Sequence, residues 1–481
     1  MAPPHDAYPA LELPRRPGSY SASMWDDGYI QSLRNEYCRE DSERGKNMEK
    51  LKQEVRGLLE DGTAGLAEQL ELVDRLQGLG VGRHFEKEVD GILSEAARVA
   101  GDHGEVLKDD LSSTALLFRL LRQHGYRISQ EDIDANLREE VAHALELPLN
   151  RRIGRLQVRW LLEMSARKPV DMVHPALLEL AALDFNMVQS IHRDDLKKMS
   201  RWWTDLGLKE KLNFARDRLM ENYFCSVGIA PDPHFSRCRE KLTQVWEVTA
   251  AYDLPQYMQS CYLVLLNTVG QTCHELQREK GLGALPFLKK AWADLCRAFL
   301  MEAKWCYEKC MPTFEEYMGN AWMSASVHVV FAHAVLFMDV DMTEKDLEHL
   351  RQYPPVIRFS ATIFRLLNDL VEREGWDTPS AIACYMNENS ATEEAARRHI
   401  KGLIDETWSA MSQEITASSL PARITATAAN VARLGHCFYQ HGDGHSKPGK
   451  EFKYRVRSLL MEPIIPAKRS AAAEHILLRA D

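Results

Sequence analysis

Residues 48–61 read MEKLKQEVRGLLED, and residues 66–80 read LAEQLELVDRLQGLG. In both stretches apolar residues recur at steps of three and four, while charged residues fill the other positions, which predicts amphipathic helices. Residues 114–125, TALLFRLLRQHG, repeat the pattern. Gly80 and Gly125 close their stretches, and glycine commonly ends a helix. Because strand-like alternation is rare elsewhere in the chain, the sequence predicts an all-α protein.

The helical pattern is interrupted at KPVDMVHP (168–175). A chain of 481 residues is long enough for two domains that each bury a core. We therefore predict two helical domains, residues 1–172 and residues 173–481. The proline-rich start, MAPPHDAYPALELP, predicts an extended arm.

Composition and charge exclude several classes of protein. The chain is 45% hydrophobic and 27% charged, with a net charge of −10, whereas nucleic-acid-binding proteins are usually basic. Its ten cysteines lack metal-ligand spacing, since the close pair Cys306 and Cys310 has no second pair beside it. This usage predicts free thiols in a reducing compartment. The longest apolar run, 327–337, is too short to cross a bilayer and predicts a buried helix.

The first residues do not have the pattern of a targeting peptide. A plastid transit peptide is rich in serine and arginine and poor in acids, but Asp6 and Glu12 precede Arg15. We expect a cytoplasmic protein for the chain as it stands, or a plastid (chloroplast) protein if a leader precedes it. We also expect a monomer without a membrane span.

The segment FARDRLMENYF (214–224) contains two arginines, Arg216 and Arg218. Two residues apart on a helix, their side chains point about 200° apart. At a helix end both could reach one anion, because arginine donates forked hydrogen bonds to phosphate oxygens. Taken alone, a solvated charged face explains the segment better.

The segment ATIFRLLNDL (361–370) places Arg365 and Asn368 three residues apart, on one face of a helix. An arginine beside an amide or carboxylate oxygen can hold a diphosphate and a hard cation together, since Mg²⁺ prefers oxygen ligands. A polar cluster at a helix end is the alternative. Near the start of the chain, Arg15 and Arg16 are followed by eight residues and then Trp25. On residue type alone this is a basic arm.

Taken together and in order, these segments resemble plant terpene synthases of class I. The blocks that carry the resemblance are RRPGSYSASMW (15–25), VDRLQGLGVGRHF (73–85), TALLFRLLRQHGYRIS (114–129), LLELAALDFNMVQSIHRDDLKKMSRWW (177–203), FARDRLMENYF (214–224), LPQYMQSCYLVLLNTV (254–269), ATIFRLLNDL (361–370) and CFYQHGDGHSKPGKEFKYRVRSLLMEPI (437–464). The arm with Trp25 and the sequence HGDGH (441–445) most resemble the monoterpene branch, whose usual substrate is geranyl diphosphate.

The resemblance implies an N-terminal α-barrel-like domain and a C-terminal class I α-bundle. It also implies that Mg²⁺, three ions in the family and sometimes Mn²⁺, triggers ionisation of a prenyl diphosphate between two acidic motifs. It assigns Arg216, Arg218 and Arg365 to the diphosphate. Asn368 would contact the substrate and begin the second metal motif, which continues through Asp369 and in which Glu372 is the substitute ligand. Arg15, Arg16 and Trp25 would cap the active site, and the candidate cavity aromatics, each equally explained as structural, are Tyr317, Trp322 and Tyr439.

The chain departs from the family pattern at both metal motifs. Where the family has its aspartate-rich DDxxD, this chain reads SRCREKLTQVWEVTAAYDLPQYMQ (236–259), which lacks the motif and the helix after it. In the second motif the family has Ser or Thr at the fourth position after Asn368 and Glu at the eighth, whereas this chain has Glu372 and Trp376. Glu372 or Glu374 could substitute as oxygen ligands. A third gap follows residue 138 in the first domain.

Two hypotheses therefore stay open. The first is an active class I terpene synthase that converts geranyl diphosphate to a monoterpene. The second is a truncated or inactive family member, because losing even one oriented electrostatic group typically costs about 10²–10³ in rate, and here a whole carboxylate wall is missing. The terpene product and the choice between geranyl and farnesyl diphosphate are not encoded in a readable motif.

Overall fold

The computed structural model describes residues 23–34, 43–61, 64–102, 116–117, 119–120, 147–165, 174–207, 218–229, 256–338, 340, 342–371 and 379–464. Within these ranges the chain forms α-helices and two short 3₁₀ helices, with no strand. The all-α prediction is confirmed.

The helices have the following bounds: α1 Asp27–Ser32, α2 Glu43–Leu59, α3 Leu66–Gly78, α4 Glu86–Asp102, α5 Gly154–Ser165, α6 Pro175–Leu206, α7 Leu219–Ile229, α8 Gln256–Lys280, α9 Leu285–Glu308, α10 Phe314–Ser324, α11 Val327–Phe337, α12 Glu344–Arg351, α13 Pro355–Asp369, α14 Ala381–Asn389, α15 Glu393–Ala417, α16 Ala422–Tyr439 and α17 Lys450–Leu460. The 3₁₀ helices are Gly82–His84 and Leu149–Arg151.

Two of the three quoted helices are present, as α2 and α3. The helix α3 ends at Gly78, and Gly80 then adopts a φ of 73°, a left-handed conformation that glycine reaches without strain. Of the third quoted stretch, 114–125, the structure describes residues 116–117 and 119–120, and these are helical. The apolar run predicted to be a buried helix is α11, whose bounds are Val327–Phe337.

One stretch of the described chain, Phe314–Phe337, is long and apolar enough to cross a membrane by length and composition alone. It is divided between α10 and α11, because Ser326 has a left-handed φ of 65°. Of its apolar window, 56% is buried inside the protein. Packing against neighbouring helices therefore explains its apolar composition.

The helix α13 lies at the centre of the C-terminal bundle. It packs against α10, α11, α14, α15 and α16. Its crossing with α16 is close, since a Cβ added at Gly435 would come within 3.1 Å of both Phe364 and Leu367. The side chains at the C-terminal end of α13 are therefore held in place relative to five neighbouring helices.

A buried carboxylate, Asp184, links the N-terminal helices to α6. Its Oδ1 accepts from Arg83 and lies 2.9 Å from His84 Nε2, and its Oδ2 lies 3.4 Å from Arg155 Nη1. Burial alone would raise the pKa of Asp184, but His84 and the two guanidinium groups lower it far below its usual value. The carboxylate therefore stays ionised inside the protein.

The predicted domain boundary, 172/173, falls between described segments. Helix α5 ends at Ser165 and α6 begins at Pro175. One apolar core continues across this point, since α6 packs against α1, α2 and α5. A second core lies around α13. The division into residues 1–172 and 173–481 stays a prediction.

Candidate active site

The C-terminal end of α13 carries a buried polar network. The Tyr317 hydroxyl donates to Asp369 Oδ2 at 2.6 Å and accepts from Arg365 Nε at 2.8 Å. Arg365 Nε also lies 3.1 Å from Asp369 Oδ1. Arg365 and Asp369 are four residues apart on α13, and Tyr317 reaches them from α10. Two side chains from two helices, Tyr317 and Asp369, thus hold the Arg365 guanidinium group in a fixed direction.

Arg365 is charged in this network. Burial lowers its pKa, but Asp369, Tyr317 and Glu302 outweigh burial and raise the pKa above that of a free guanidinium. Glu302 of α9 approaches Arg365 Nη1 at 3.5 Å and accepts from the Ser324 hydroxyl. The pKa of Tyr317 also rises, first through burial and then through Asp369, so its hydroxyl keeps its proton.

Asp369 is enclosed by its partners. Its side chain is 0% exposed, and Oδ2 accepts a second hydrogen bond from the Ala381 backbone N–H at 2.9 Å, at the start of α14. The neighbouring thiol of Cys384 has its pKa raised to about 12, by burial and then by Asp369. A metal ion at Asp369 would therefore have to displace Arg365 from Oδ1, or Tyr317 or Ala381 from Oδ2.

A second buried arginine, Arg218, lies just before α7. Its Nη2 donates to the Ser446 carbonyl at 3.0 Å, and its Nη1 lies 3.6 Å from Oε1 of Glu221, three residues further on. Glu221 is 1% exposed, and its Oε2 accepts from the Ser23 hydroxyl at 3.3 Å. Glu221 thus connects the N-terminal arm to Arg218.

The arm enters the core at Trp25, which is 2% exposed. Its backbone N–H donates to the Ser23 hydroxyl at 3.3 Å, so the buried indole and the contact to Glu221 belong to one short segment. The other predicted cap residues, Arg15 and Arg16, lie outside the described residues. Arg216 and Glu372 do as well.

The HGDGH loop (441–445) forms the other side of Arg218. Asp443 Oδ1 accepts from the backbone N–H groups of His445 and Ser446, each at 2.9 Å. Gly444 is required by close packing, since an added Cβ would lie 2.8 Å from both the Phe438 carbonyl oxygen and the Phe452 ring. The loop therefore presents the Ser446 carbonyl to Arg218 from a rigid turn.

An apolar cavity of about 310 Å³ opens between α7, α11, α13 and α16. Asn222 on its wall is one helical turn from Arg218, whose carbonyl accepts from the Asn222 N–H at 2.9 Å. Phe364 and Tyr439 meet edge to face there, with centroids 5.6 Å apart. The lining residues are Asn222, Cys225, Ser226, Ile229, Ala325, Val327, Val330, Phe364, Val431, Leu434, Phe438, Tyr439 and His445.

The three candidate aromatics separate in the structure. Tyr439 lines the cavity. Tyr317 belongs to the Arg365 network instead. Trp322 packs edge to face with Tyr353, at 5.7 Å between centroids, and beneath the Arg358 guanidinium. Neither Tyr317 nor Trp322 is among the described residues that line the cavity.

Sequence reasoning missed two carboxylates, Glu221 and Glu302. Glu221 lies three residues after Arg218, a spacing that places both side chains on one helix face and could have indicated the pair. Glu302 is far from Arg365 in sequence, so no local signal connects them. Phe364 and Phe438 were also not predicted as cavity residues, although Phe438 directly precedes the candidate Tyr439.

Comparison with known proteins identifies the class. The profile of the terpene synthase N-terminal domain matches residues 24–145, and that of the terpene synthase family metal binding domain matches residues 204–246 and 240–410. The chain belongs to the terpene synthase family. The match to the metal binding domain is divided into two ranges that overlap at residues 240–246. This is the part of the chain that lacks the aspartate-rich motif of the family.

Individual relatives are plant enzymes. The chain is 37% identical to a protein named (−)-alpha-terpineol synthase from Vitis vinifera, covering 94% of this chain and 91% of the relative. It is 38% identical to a chloroplastic myrcene synthase from Quercus ilex, covering 94% and 90%. The first alignment spans 541 positions, more than the chain contains, so it opens gaps in this chain.

Solved structures have the same fold. A limonene synthase with 2-fluorolinalyl diphosphate superposes with a TM-score of 0.85 at 27% identity, covering 93% of this chain and 99% of the other. An isoprene synthase from Populus x canescens, solved with three Mg²⁺ ions and dimethylallyl-S-thiolodiphosphate, superposes with a TM-score of 0.79 at 34% identity, covering 92% and 100%. The predicted α-barrel domain followed by a class I terpenoid synthase bundle is confirmed.

The matched metal-binding domain and the Mg²⁺-bound relative support a divalent metal cofactor. The described side chains do not by themselves complete a site for it. Across the ranges given above, no group of three or more His, Cys, Asp or Glu residues could hold a metal ion. At the end of α13, the described side chains that supply oxygens are the half-buried Asn368 and the enclosed Asp369.

Proposed function

We propose that this protein binds a prenyl diphosphate, geranyl diphosphate first among them, and converts its allylic cation to a monoterpene with release of diphosphate. The observation that carries the proposal is the apolar cavity with the buried Arg218 one helical turn from its wall. Small-molecule pockets span about 300–1,000 Å³. At about 310 Å³ the cavity is near the lower limit, which favours a short prenyl chain.

In this proposal the arginines receive the diphosphate. Arg218 and Arg365 are buried or half-buried and fixed by neighbours, so they donate to phosphate oxygens with little loss of side-chain freedom. Arg216 would join them. A divalent metal held near these arginines would supply positive charge to offset that of the departing diphosphate. Asn368, Asp369 and Glu372 are the proposed metal ligands, with Mg²⁺ or Mn²⁺ as the ion.

The apolar wall would fold and protect the cation. Phe364, Phe438 and Tyr439 offer aromatic faces, which attract positive charge. Apolar neighbours such as Val431 and Leu434 exclude water, which would otherwise quench the cation. The buried Trp25 and the Ser23–Glu221 contact support a cap over the Arg218 side of the site, with Arg15 and Arg16 as its outer part.

A second candidate is a family member that binds prenyl diphosphates without ionising them. Two observations favour it: the sequence contains no DDxxD, and the metal-binding profile matches in two pieces that meet at residues 240–246. In this case the cavity and Arg218 keep their binding role.

Location is also part of the proposal, since relatives named chloroplastic favour the plastid over the cytoplasm.

One experiment separates the candidates. The purified full chain is incubated with Mg²⁺ and geranyl diphosphate, products are scored by gas chromatography against a boiled control, and binding of a non-hydrolysable thiolo analogue is measured by calorimetry. Product above the control supports the enzyme, whereas saturable binding without product supports the second candidate. A folded protein with neither property contradicts both.

Arg218→Gln tests the residue assignment. We expect it to weaken analogue binding at least tenfold, and to reduce product formation about 10²–10³-fold, since an oriented donor is lost. Arg201→Gln is the matched control. Arg201 is exposed on α6, and its substitution removes the same charge away from the cavity. Equal effects of the two variants would contradict the assignment.

A further inference from the structure

A second, cationic cleft lies between the two halves of the molecule. It has a volume of about 190 Å³ and is formed by residues around α5 on one side and by α16 and α17 on the other. Among the described residues, five arginines line it, together with two acidic residues, Glu163 and Glu451. Among the described residues, no residue lines both this cleft and the cavity of the candidate active site, although both linings include residues of α16.

Arg433 is a half-buried cation of this cleft, and its side chain is held by uncharged groups. Its Nε donates to the Asn150 carbonyl and its Nη1 to Asn430 Oδ1, each at 2.6 Å. Both acceptors are neutral, and across the described part of the chain no carboxylate pairs with Arg433. Burial lowers its pKa to about 10, so the group is still charged at neutral pH. Because both acceptors are uncharged, an anion beside this half-buried guanidinium would add a charge-assisted hydrogen bond.

The neighbouring arginines are already oriented. Arg455 donates to the Cys437 carbonyl and to Gln440 Oε1, each at 3.1 Å. Arg159 donates from Nη1 to the carbonyls of Ser458 and Glu462, at 3.0 and 2.7 Å. Because backbone and amide oxygens fix these guanidinium groups, little entropy is lost when they bind a ligand.

The two glutamates do not neutralise the cleft. Glu163 pairs with Arg159 at 3.1 Å and Glu451 lies 3.5 Å from Arg455, but their side chains are 44% and 50% exposed. Ion pairs this exposed are weak, because water screens them. Outside the lining, Arg151 also pairs with Asp405 at 2.6 Å, and Arg159 Nη2 lies 3.7 Å from Glu462 Oε2, so within the described residues the positive charge that a small anion can match is that of Arg433.

We propose that this cleft is an anion site for phosphate-class oxyanions, inorganic phosphate or diphosphate. Tetrahedral phosphate groups match the forked donors of arginine, and several arginines converge on a space too small for a large ligand. The inference goes beyond the proposed function and does not depend on it. If the proposed reaction holds, diphosphate is also its product, and the cleft would bind that product away from the apolar cavity.

The test is calorimetric titration of the full chain with sodium phosphate and, separately, with sodium diphosphate, at constant ionic strength set by NaCl. We expect saturable binding of at least one of the two ions. Arg433→Met keeps the apolar stem of the side chain and should weaken binding at least tenfold, since a charge-assisted hydrogen bond is lost. Arg201→Gln, at an exposed position on α6 that lines neither the cleft nor the apolar cavity, should leave this binding unchanged.

Two exposed positions keep the test decisive if Arg433→Met fails to fold. Glu451→Gln removes a rim carboxylate and frees Arg455, so it should tighten binding several-fold. Arg457→Gln is the matched control, since Arg457 lies on the same helix, pairs with Glu462 at 2.9 Å and does not line the cleft. Absence of saturable binding, or equal responses of Glu451→Gln and Arg457→Gln, would overturn the proposal.

Discussion

At the scale of single residues, Tyr317 shows how one hydroxyl can orient two charges. It donates to Asp369 and accepts from Arg365, and its ring lies beneath the guanidinium with 5.3 Å between Arg365 Cζ and the centroid. Its sequence context indicated only an aromatic residue on a helix. Its hydrogen bonds make it a positioning residue for Arg365.

We expect Tyr317→Phe to lower the free energy of unfolding by about 1–3 kcal/mol, because a buried hydroxyl shared by two charged groups is lost. Urea denaturation measures this change. Tyr385→Phe is the control, since Tyr385 stacks on His399 at 4.2 Å through its ring. A loss for Tyr317→Phe no larger than for Tyr385→Phe would show that the hydroxyl does not stabilise the network.

At the scale of elements, the break between α10 and α11 places residues on the cavity wall. Ser326 has a φ of 65°, and the chain turns there so that Ala325 and Val327 line the cavity. The left-handed region is unfavourable for a residue with a Cβ, by about 1–2 kcal/mol. The surrounding helices must hold Ser326 in this conformation.

Ser326→Gly should therefore stabilise the protein by about 0.4–1 kcal/mol, because glycine adopts positive φ without strain, although its unfolded chain is more flexible. The matched control is Ser409→Gly, at an exposed position within α15, where glycine weakens a helix. Thermal unfolding of both variants should give shifts of opposite sign. A destabilised Ser326→Gly variant would show that the break is not strained.

At the scale of the whole molecule, both cores contain buried histidines that must be neutral. Burial lowers the pKa of His192 to about 3 and those of His333 and His436 to about 4. His436 Nε2 accepts from the Trp408 indole at 2.9 Å, and His333 Nε2 accepts from Trp292 at 3.1 Å. A protonated ring could not accept these bonds.

Stability should therefore fall as the pH decreases from about 6.5 to about 4. In this range the unfolded chain binds protons at these histidines and the folded protein does not, so the free energy of unfolding rises with pH. Urea denaturation at several pH values measures the slope. His436→Gln, whose amide oxygen can still accept from Trp408, should reduce it, while exposed His349→Gln should not; a flat profile for the parent protein would contradict the prediction.

Much of the fold followed from local spacing. Helical periodicity gave the all-α class and the bounds of α3 within two residues, because a helix is specified by residues three and four apart. Family resemblance led to Arg218, Arg365 and Trp25, and the structure places Arg218 one turn from the cavity wall. Family resemblance could not distinguish the roles of Tyr317, Trp322 and Tyr439, since all three are aromatic residues on helices.

The sequence by itself determined the helical class, the family and the absence of a DDxxD motif. Only the tertiary structure decided which groups meet: Tyr317 and Asp369 are 52 residues apart, and Ser23 and Glu221 are 198 apart. The same holds for the arginines of the cleft, which come from both halves of the chain. The physical reason is that hydrophobic burial fixes how helices pack, and packing rather than spacing selects polar partners that are distant in sequence.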